Sequence, residues 1–207
     1  MEPIRLDDVL GRERYGLERD AIRRRVIAHK RVRRVAVGDL LTLVFEDRAT
    51  VWYQTQEMLW VEHITELDAI RAELAVYNQM LPGADELSAT LFVEVSDQAR
   101  IAEELQRLLG IDEHLLLGVG GLPPVRAQFE PGRQTAEKLS AVQYVRFKLP
   151  AAIRARIVDG AAIAISTDHP RYVASVEVSD AARASLAADL TEGRGPEGAL
   201  RQVRDAG

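Results

Sequence analysis

Apolar positions recur with helical spacing over most of the first 85 residues and fall into short alternating runs after that. Ile22, Val26 and His29 share one face of a helix predicted from Asp20 to about Val32, with Asp20 as its cap. After a turn at Gly38-Asp39, the apolar run Leu40 to Phe45 reads as a strand. Glu46-Asp47-Arg48 then reads as a turn, and "ATVWY" as a second strand. The segment "QTQEMLWVEHI" (54–64) favours helix by its length and its Met, Leu and Glu content. A further helix is capped at Thr65, runs through "LDAIRAELAVYNQML" and stops at Pro82-Gly83.

Strand signals dominate from residue 86 onward. "SATLFVEV" is a strand and "DQARIAEELQRLLG" a helix closed by Gly110, while "HLLLGVGGLPPVRAQF" is a hairpin around Gly120-Gly121. "EPGRQTAEK" is a polar loop and "SAVQYVRFKL" a half-buried strand. "PAAIRARIVDG" is a short helix from Pro150 to Gly160, and "AAIAISTDHPRYVASVEV" makes two strands joined at residues 168–171. A last helix covers about 180–191, and the tail 191–207 is too poor in apolar residues to hold itself down. Strands joined by tight turns are antiparallel, so the predicted class is α+β: a largely antiparallel, hairpin-rich sheet with flanking helices. One domain is expected over residues 1–190, helix-rich in 1–85 and sheet-rich in 86–190.

Composition narrows the function classes. The 207 residues have an ordinary globular balance, 47% hydrophobic and 29% charged, with no apolar run able to span a membrane. The N-terminus lacks the basic-then-apolar pattern of a secretory signal, so the cytoplasm is the expected location. Zero cysteines exclude disulfides, thiol catalysis and thiolate-held clusters on this chain. "VGGLPP" is a turn with no helix opening after it, which removes a dinucleotide fingerprint.

Charge is unevenly spread. Residues 23–34, "RRRVIAHKRVRR", carry +7, against −12 for the rest of the chain. The window has no aromatic residue for base stacking, and the acidic remainder repels a phosphate backbone, so nucleic acid is disfavoured as a partner. Arg23, Arg24 and Arg25 point in three directions around the helix and cannot converge on one ligand.

None of the four histidines has a metal-binding spacing, so any metal site would draw on several elements. His29 at the end of the basic helix, Glu57 in the mid-chain helix and His169 in the 168–171 turn form one candidate set, suited to a divalent metal such as iron. Gln54, Gln56 and Asp168 lie in the same polar stretches. With Lys30, Arg33 and Arg34 they form an alternative set for a small anionic ligand, the cations pairing its carboxylate or phosphate. A third reading is purely structural: Asp168 fixes its turn, His169 is exposed and Glu57 pairs with an arginine.

The stretches "RVIAHKRVRRVAVGDLLTLVFEDRATVWYQTQEMLWVE", "EKLSAVQYVRF", "DHPRY" and "ASLAADL" resemble a bacterial family catalogued as a conserved domain of unknown function. The resemblance carries over to His29, Lys30, Glu46, Asp47, Arg48, Gln54, Gln56, Glu57, Met58, Glu62, Lys138, Asp168 and His169. This chain departs from the family pattern at His63, where a basic residue is usual, and at Gln143, where His is frequent. Genes of that family often lie beside those for a rubrerythrin-like di-iron protein and an iron–sulfur oxidoreductase. The resemblance therefore implies a cytoplasmic redox or oxidative-stress assembly; the expected role is an accessory subunit of such an iron-dependent system, and the charge of residues 23–34 suits them to dock an acidic partner. The alternatives are a non-haem iron enzyme and a binding protein for a small anion; self-association is left open.

Overall fold

A computed structural model describes residues 1–132, 139–191 and 204. The fold is α+β. Helix α1 (Arg12–Val32) leads into the hairpin β1 (Arg34–Val37) and β2 (Leu41–Phe45), followed by α2 (Arg48–Val61) and α3 (Leu67–Tyr77). Then come β3 (Glu86–Val93), α4 (Ile101–Arg107), β4 (Leu115–Val119), β5 (Val125–Arg126), β6 (Gln128–Phe129) and β7 (Val142–Lys148). The described chain ends with α5 (Ala151–Val158), β8 (Ile163–His169), β9 (Tyr172–Glu177) and α6 (Asp180–Thr191). No helix among the described residues is long and apolar enough to cross a membrane. The expectation for residues 192–203 and 205–207 lies outside the described residues.

The strands form two antiparallel sheets, in the orders β1-β2-β3-β7-β6 and β5-β4-β8-β9. Both contribute to one apolar core, with Leu43, Phe45, Leu91 and Phe147 from the first sheet and Leu117, Ile163 and Ile165 from the second. The sheets meet at both edges. Residues 125–129 pass from one to the other, and Ala127 donates its N–H to the carbonyl of Leu115 at 2.8 Å. At the opposite seam Tyr172 of β9 donates its hydroxyl to the carbonyl of Val37 (2.8 Å) and accepts the N–H of Leu40 (3.0 Å). Gly38 makes that bolt fit: its φ is +68°, and a Cβ there would lie 2.3 Å from the Tyr172 hydroxyl. A second core joins α1, α2 and α3 around Tyr15, Ile22, Val26, Val51 and Trp52.

Alternation assigns the faces of the first sheet. Leu41, Leu43 and Phe45 point into the shared core, so Thr42 and Val44 point outward, toward the helices. All five β2 residues are buried because both faces are covered, which explains the unbroken apolar run. In register across the outer face stand Arg34, Val44, Thr90 and Tyr144, with Thr42, Phe92 and Val142 in the next row.

Three local expectations need correction. "ATVWY" is helix, not strand. Asp47 caps α2, its carboxylate accepting the Thr50 N–H at 2.9 Å while Thr50 Oγ1 accepts the Asp47 N–H at 2.9 Å. That cap outweighs the β-propensity of Thr50, Val51 and Trp52. Helix α1 starts at Arg12, eight residues before Asp20, and runs through Gly16, where a Cβ would lie 2.7 Å from the Trp60 indole. Thr65 does not cap α3, whose N-cap position is Glu66.

Helix α2 ends on a left-handed residue: His63 has φ +56°, and the N–H of Ile64 returns to the carbonyl of Leu59 at 3.0 Å. Glycine occupies that conformation without a Cβ penalty, and His63 is exposed. His63→Gly is therefore expected to stabilise the protein by about 1 kcal/mol in urea unfolding. A destabilised variant would show that the His63 side chain holds the turn.

Candidate functional site

Where α1 ends and β2 turns into α2, the chain buries a guanidinium. Arg33, 1% exposed, donates Nε to the carbonyl of Phe45 (2.9 Å) and Nη2 to the carbonyl of Glu46 (3.2 Å). Its Nη1 reaches Ser185 Oγ at 2.7 Å, and Nη2 also contacts the Asp189 carboxylate at 2.5 Å. Asp47 Oδ2 lies 3.4 Å from Arg33 Nη1 and 2.6 Å from His29 Nε2. Arg33 is thereby committed inside the protein and cannot meet a ligand's anion, as one expectation held, while the Nε2 of His29 is taken by Asp47.

The two carboxylates facing Arg33 are shifted in opposite directions. Burial pushes Asp47 up, but Arg33, His29 and the Thr50 N–H outweigh it and hold the carboxyl well below its usual range. Burial dominates at Asp189, which is pushed up to about 6 against the pull of Arg33; Asp47 nearby adds to the rise.

The remaining predicted residues are dispersed. Glu57 accepts from the Tyr15 hydroxyl (2.6 Å) and from Arg19 Nε and Nη2 (2.8 and 2.7 Å). Burial raises its pKa, but the bonds to Arg19 and Tyr15 bring it below its ordinary value. Gln56 clamps the backbone of Leu10, accepting its N–H at 2.6 Å. His169 Nε2 lies 2.9 Å from the Leu109 carbonyl, and its Nδ1 accepts the Arg171 N–H at 3.2 Å; the ring is buried, not exposed. Asp168 pairs with His114 at 2.7 Å. His29, Glu57 and His169 each have a partner of their own, and no group of three metal-ligating side chains exists among the described residues. The three-residue metal centre is not assembled, because each side chain closes a local hydrogen-bond requirement instead. Lys138 lies outside the described residues.

Lys30, Arg34 and Gln54 do come together. They border a cleft of about 470 Å³ between α1 and the outer face of the five-stranded sheet. Ile27 and Arg31 join them at the rim, and Val44, Thr90, Phe92, Val142 and Tyr144 make the floor. Arg34 is tied to Glu94 at 2.5 Å, and Glu94 also accepts from Thr42 at 2.7 Å. Lys30 and Arg31 have no carboxylate partner among the described residues.

At one end of the cleft stands Glu46, 3% exposed. Its Oε1 accepts the Thr90 hydroxyl at 2.5 Å; its Oε2 accepts the Thr50 hydroxyl at 2.5 Å and the Gln54 amide at 3.1 Å. A second cleft, of about 560 Å³, reaches Glu46 and Tyr144 from the side of Tyr77, Met80, Phe129 and Arg146. In the sequence Glu46 reads as a turn residue and is one of the positions the family resemblance carries over, whereas Thr90, Phe92, Val142 and Tyr144 have no functional role there. Alternation puts Val142 and Tyr144 on one face of their strand and Thr90 and Phe92 on one face of theirs; the register of the two strands brings the four together.

Residues 3–190 match the family described as "Protein of unknown function (DUF3501)", and the chain belongs to that family. It is similar to a crystal structure of a novel protein of unknown function from Burkholderia pseudomallei K96243: 39% identity, a TM-score of 0.86, and coverage of 91% of this chain and all of that one. No curated protein matches.

The opposite shifts at Asp47 and Asp189 predict opposite pH dependence. The stability from Asp47 is present above the unfolded carboxyl value of 3.8 and is lost as pH falls through the depressed folded value. That from Asp189 is full below 3.8 and is lost as pH rises through about 6. Asp47→Asn is expected to cost about 3 kcal/mol at pH 7. Asp189→Asn, which resembles the protonated acid, should cost less than about 1 kcal/mol there and make the slope of stability against pH more positive between 4 and 6. Equal losses for the two variants at pH 7 would refute the assignment.

Proposed function

We propose that this family member binds a small organic anion with an apolar body in the cleft between α1 and the outer face of the five-stranded sheet. The observation that carries the reading is the pair Lys30 and Arg31, cations with no carboxylate partner among the described residues, above an apolar floor. A purely solvated surface has no use for a concave bed of Val44, Phe92 and Val142 beneath its charges. A carboxylate or phosphate at the rim gains charge-assisted hydrogen bonds from the ammonium and guanidinium, while its carbon skeleton leaves water against that bed. Arg34, neutralised by Glu94, shapes the rim and adds little net charge.

The test is thermal unfolding and calorimetry with a panel of aryl- and alkyl-carboxylates at millimolar concentration. Binding raises Tm in a concentration-dependent way and weakens with salt. Lys30→Met with Arg31→Met keeps the fold and reduces affinity by tenfold or more. No Tm shift with any acid of the panel, or unchanged affinity in the double variant, would remove the reading.

A second reading is favoured by one specific observation. Arg23, Arg24 and Arg31 are exposed on α1 beside half-exposed Ile27. An acidic protein partner suits that face, and a rubrerythrin-like or iron–sulfur oxidoreductase subunit is the candidate in this reading. Co-purification at low salt should be lost on charge reversal of Arg23, Arg24 and Arg31; an association indifferent to those changes counts against the surface.

A further inference from the structure

The carboxylate of Glu46 is buried yet forms no ion pair with a described residue. Arg33, the cation next to it, bonds its backbone carbonyl and is committed to Asp47 and Asp189. Three neutral donors hold the side chain, one on Oε1 and two on Oε2. A carboxylate offers about four lone-pair positions, so Oε1 keeps one acceptor position open. A buried ionised carboxylate without a cation is costly, and the cost falls when a further donor reaches it. Glu46 lines the cleft, so a bound molecule can supply that donor.

We propose that the ligand of this cleft carries a hydrogen-bond donor, a hydroxyl or an amine, at the end opposite its anionic head, and that Glu46 reads it. This rests on the anion-binding reading above. It narrows the ligand to hydroxy- or amino-substituted acids with an apolar middle. Thr50, Thr90 and Gln54 are positioning residues: by filling three acceptor positions they fix the carboxylate's plane and aim the remaining lone pair. With both oxygens already accepting, the remaining lone pair suits a donor and offers nothing to a ligand ending in an ether or a ketone carbonyl. Glu46 and Tyr144 also line the second cleft, so a donor on a longer molecule meets the same carboxylate before the chain continues toward Tyr77 and Met80.

Matched probes test this in the unmodified protein. Phenylacetate, 3-phenylpropionate and 4-phenylbutyrate are titrated calorimetrically, each with and without a para-hydroxyl, so that one spacer length spans the distance from rim to Glu46. At the best length the hydroxylated acid is expected to bind at least tenfold more tightly than its parent, the worth of a charge-assisted hydrogen bond. Glu46→Gln removes the charge assistance and brings that ratio below about threefold while the parent acid still binds. Glu46→Asp, which keeps the charge but withdraws it by one methylene, does the same and serves if the Gln variant fails to fold. Parent and hydroxylated acids binding equally at every length overturns the donor assignment and leaves the anion site standing. A failure of all six acids to bind overturns the anion site itself. A hydroxyl advantage that persists in both Glu46 variants overturns the role of Glu46.

Discussion

The guanidinium of Arg33 is the constraint on which this architecture turns. It links the end of α1 to the last carbonyl of β2 and to the cap residue of α2, and ties all three to α6, which lies 156 residues further along the chain at Asp189. Without it, Asp47 and Asp189 would face each other as buried like charges beside two bare carbonyls. A buried ion cluster of this kind is weak as a source of net stability, since desolvation offsets most of the attraction. Its value is geometric. It fixes the chain direction at Glu46 and Asp47, so that the Asp47 side chain turns inward to Arg33 and His29 while that of Glu46 turns to the clefts.

The basic segment that looked like one feature in the sequence is therefore several. Arg33 is a core residue and Arg34 half of a surface ion pair; Arg23 and Arg24 face outward. Only Lys30 and Arg31 remain to act on something in the cleft. A count of +7 over twelve residues overstated the field available to a partner, because screening and internal pairing remove part of it before any ligand arrives.

How far the sequence disclosed this depends on where each residue's competitor lies. The hairpins, the Gly110 and Gly160 stops and the antiparallel class were legible, because turn chemistry is local. The helical identity of residues 48–53 was hidden: Val51 and Trp52 favour strands, and the deciding bond runs from Asp47 to Thr50, whose β-propensity argues the other way. The candidate site was half legible. Lys30, Arg34 and Gln54, singled out for types that suit an anion, border the cleft, whereas Thr90 and Tyr144 come beneath α1 only through sheet register. His29, Glu57 and His169 show the converse error. Their types suit a metal, but a buried imidazole or carboxylate takes the nearest donor or acceptor, and each had one within its own corner of the fold.

Separating the scaffold from the site has a physical consequence. Among the described residues, Arg33, His29, Asp47, Ser185 and Asp189 do not line the cleft, whereas Lys30 and Arg31 do. Glu46 is the exception. Its backbone carbonyl belongs to the cluster and its carboxylate to the clefts, and a peptide carbonyl held by Arg33 cannot shift without moving the side chain on the same residue. Asp189 and Ser185 on α6 hold the same guanidinium that holds this carbonyl, although neither residue lines the cleft.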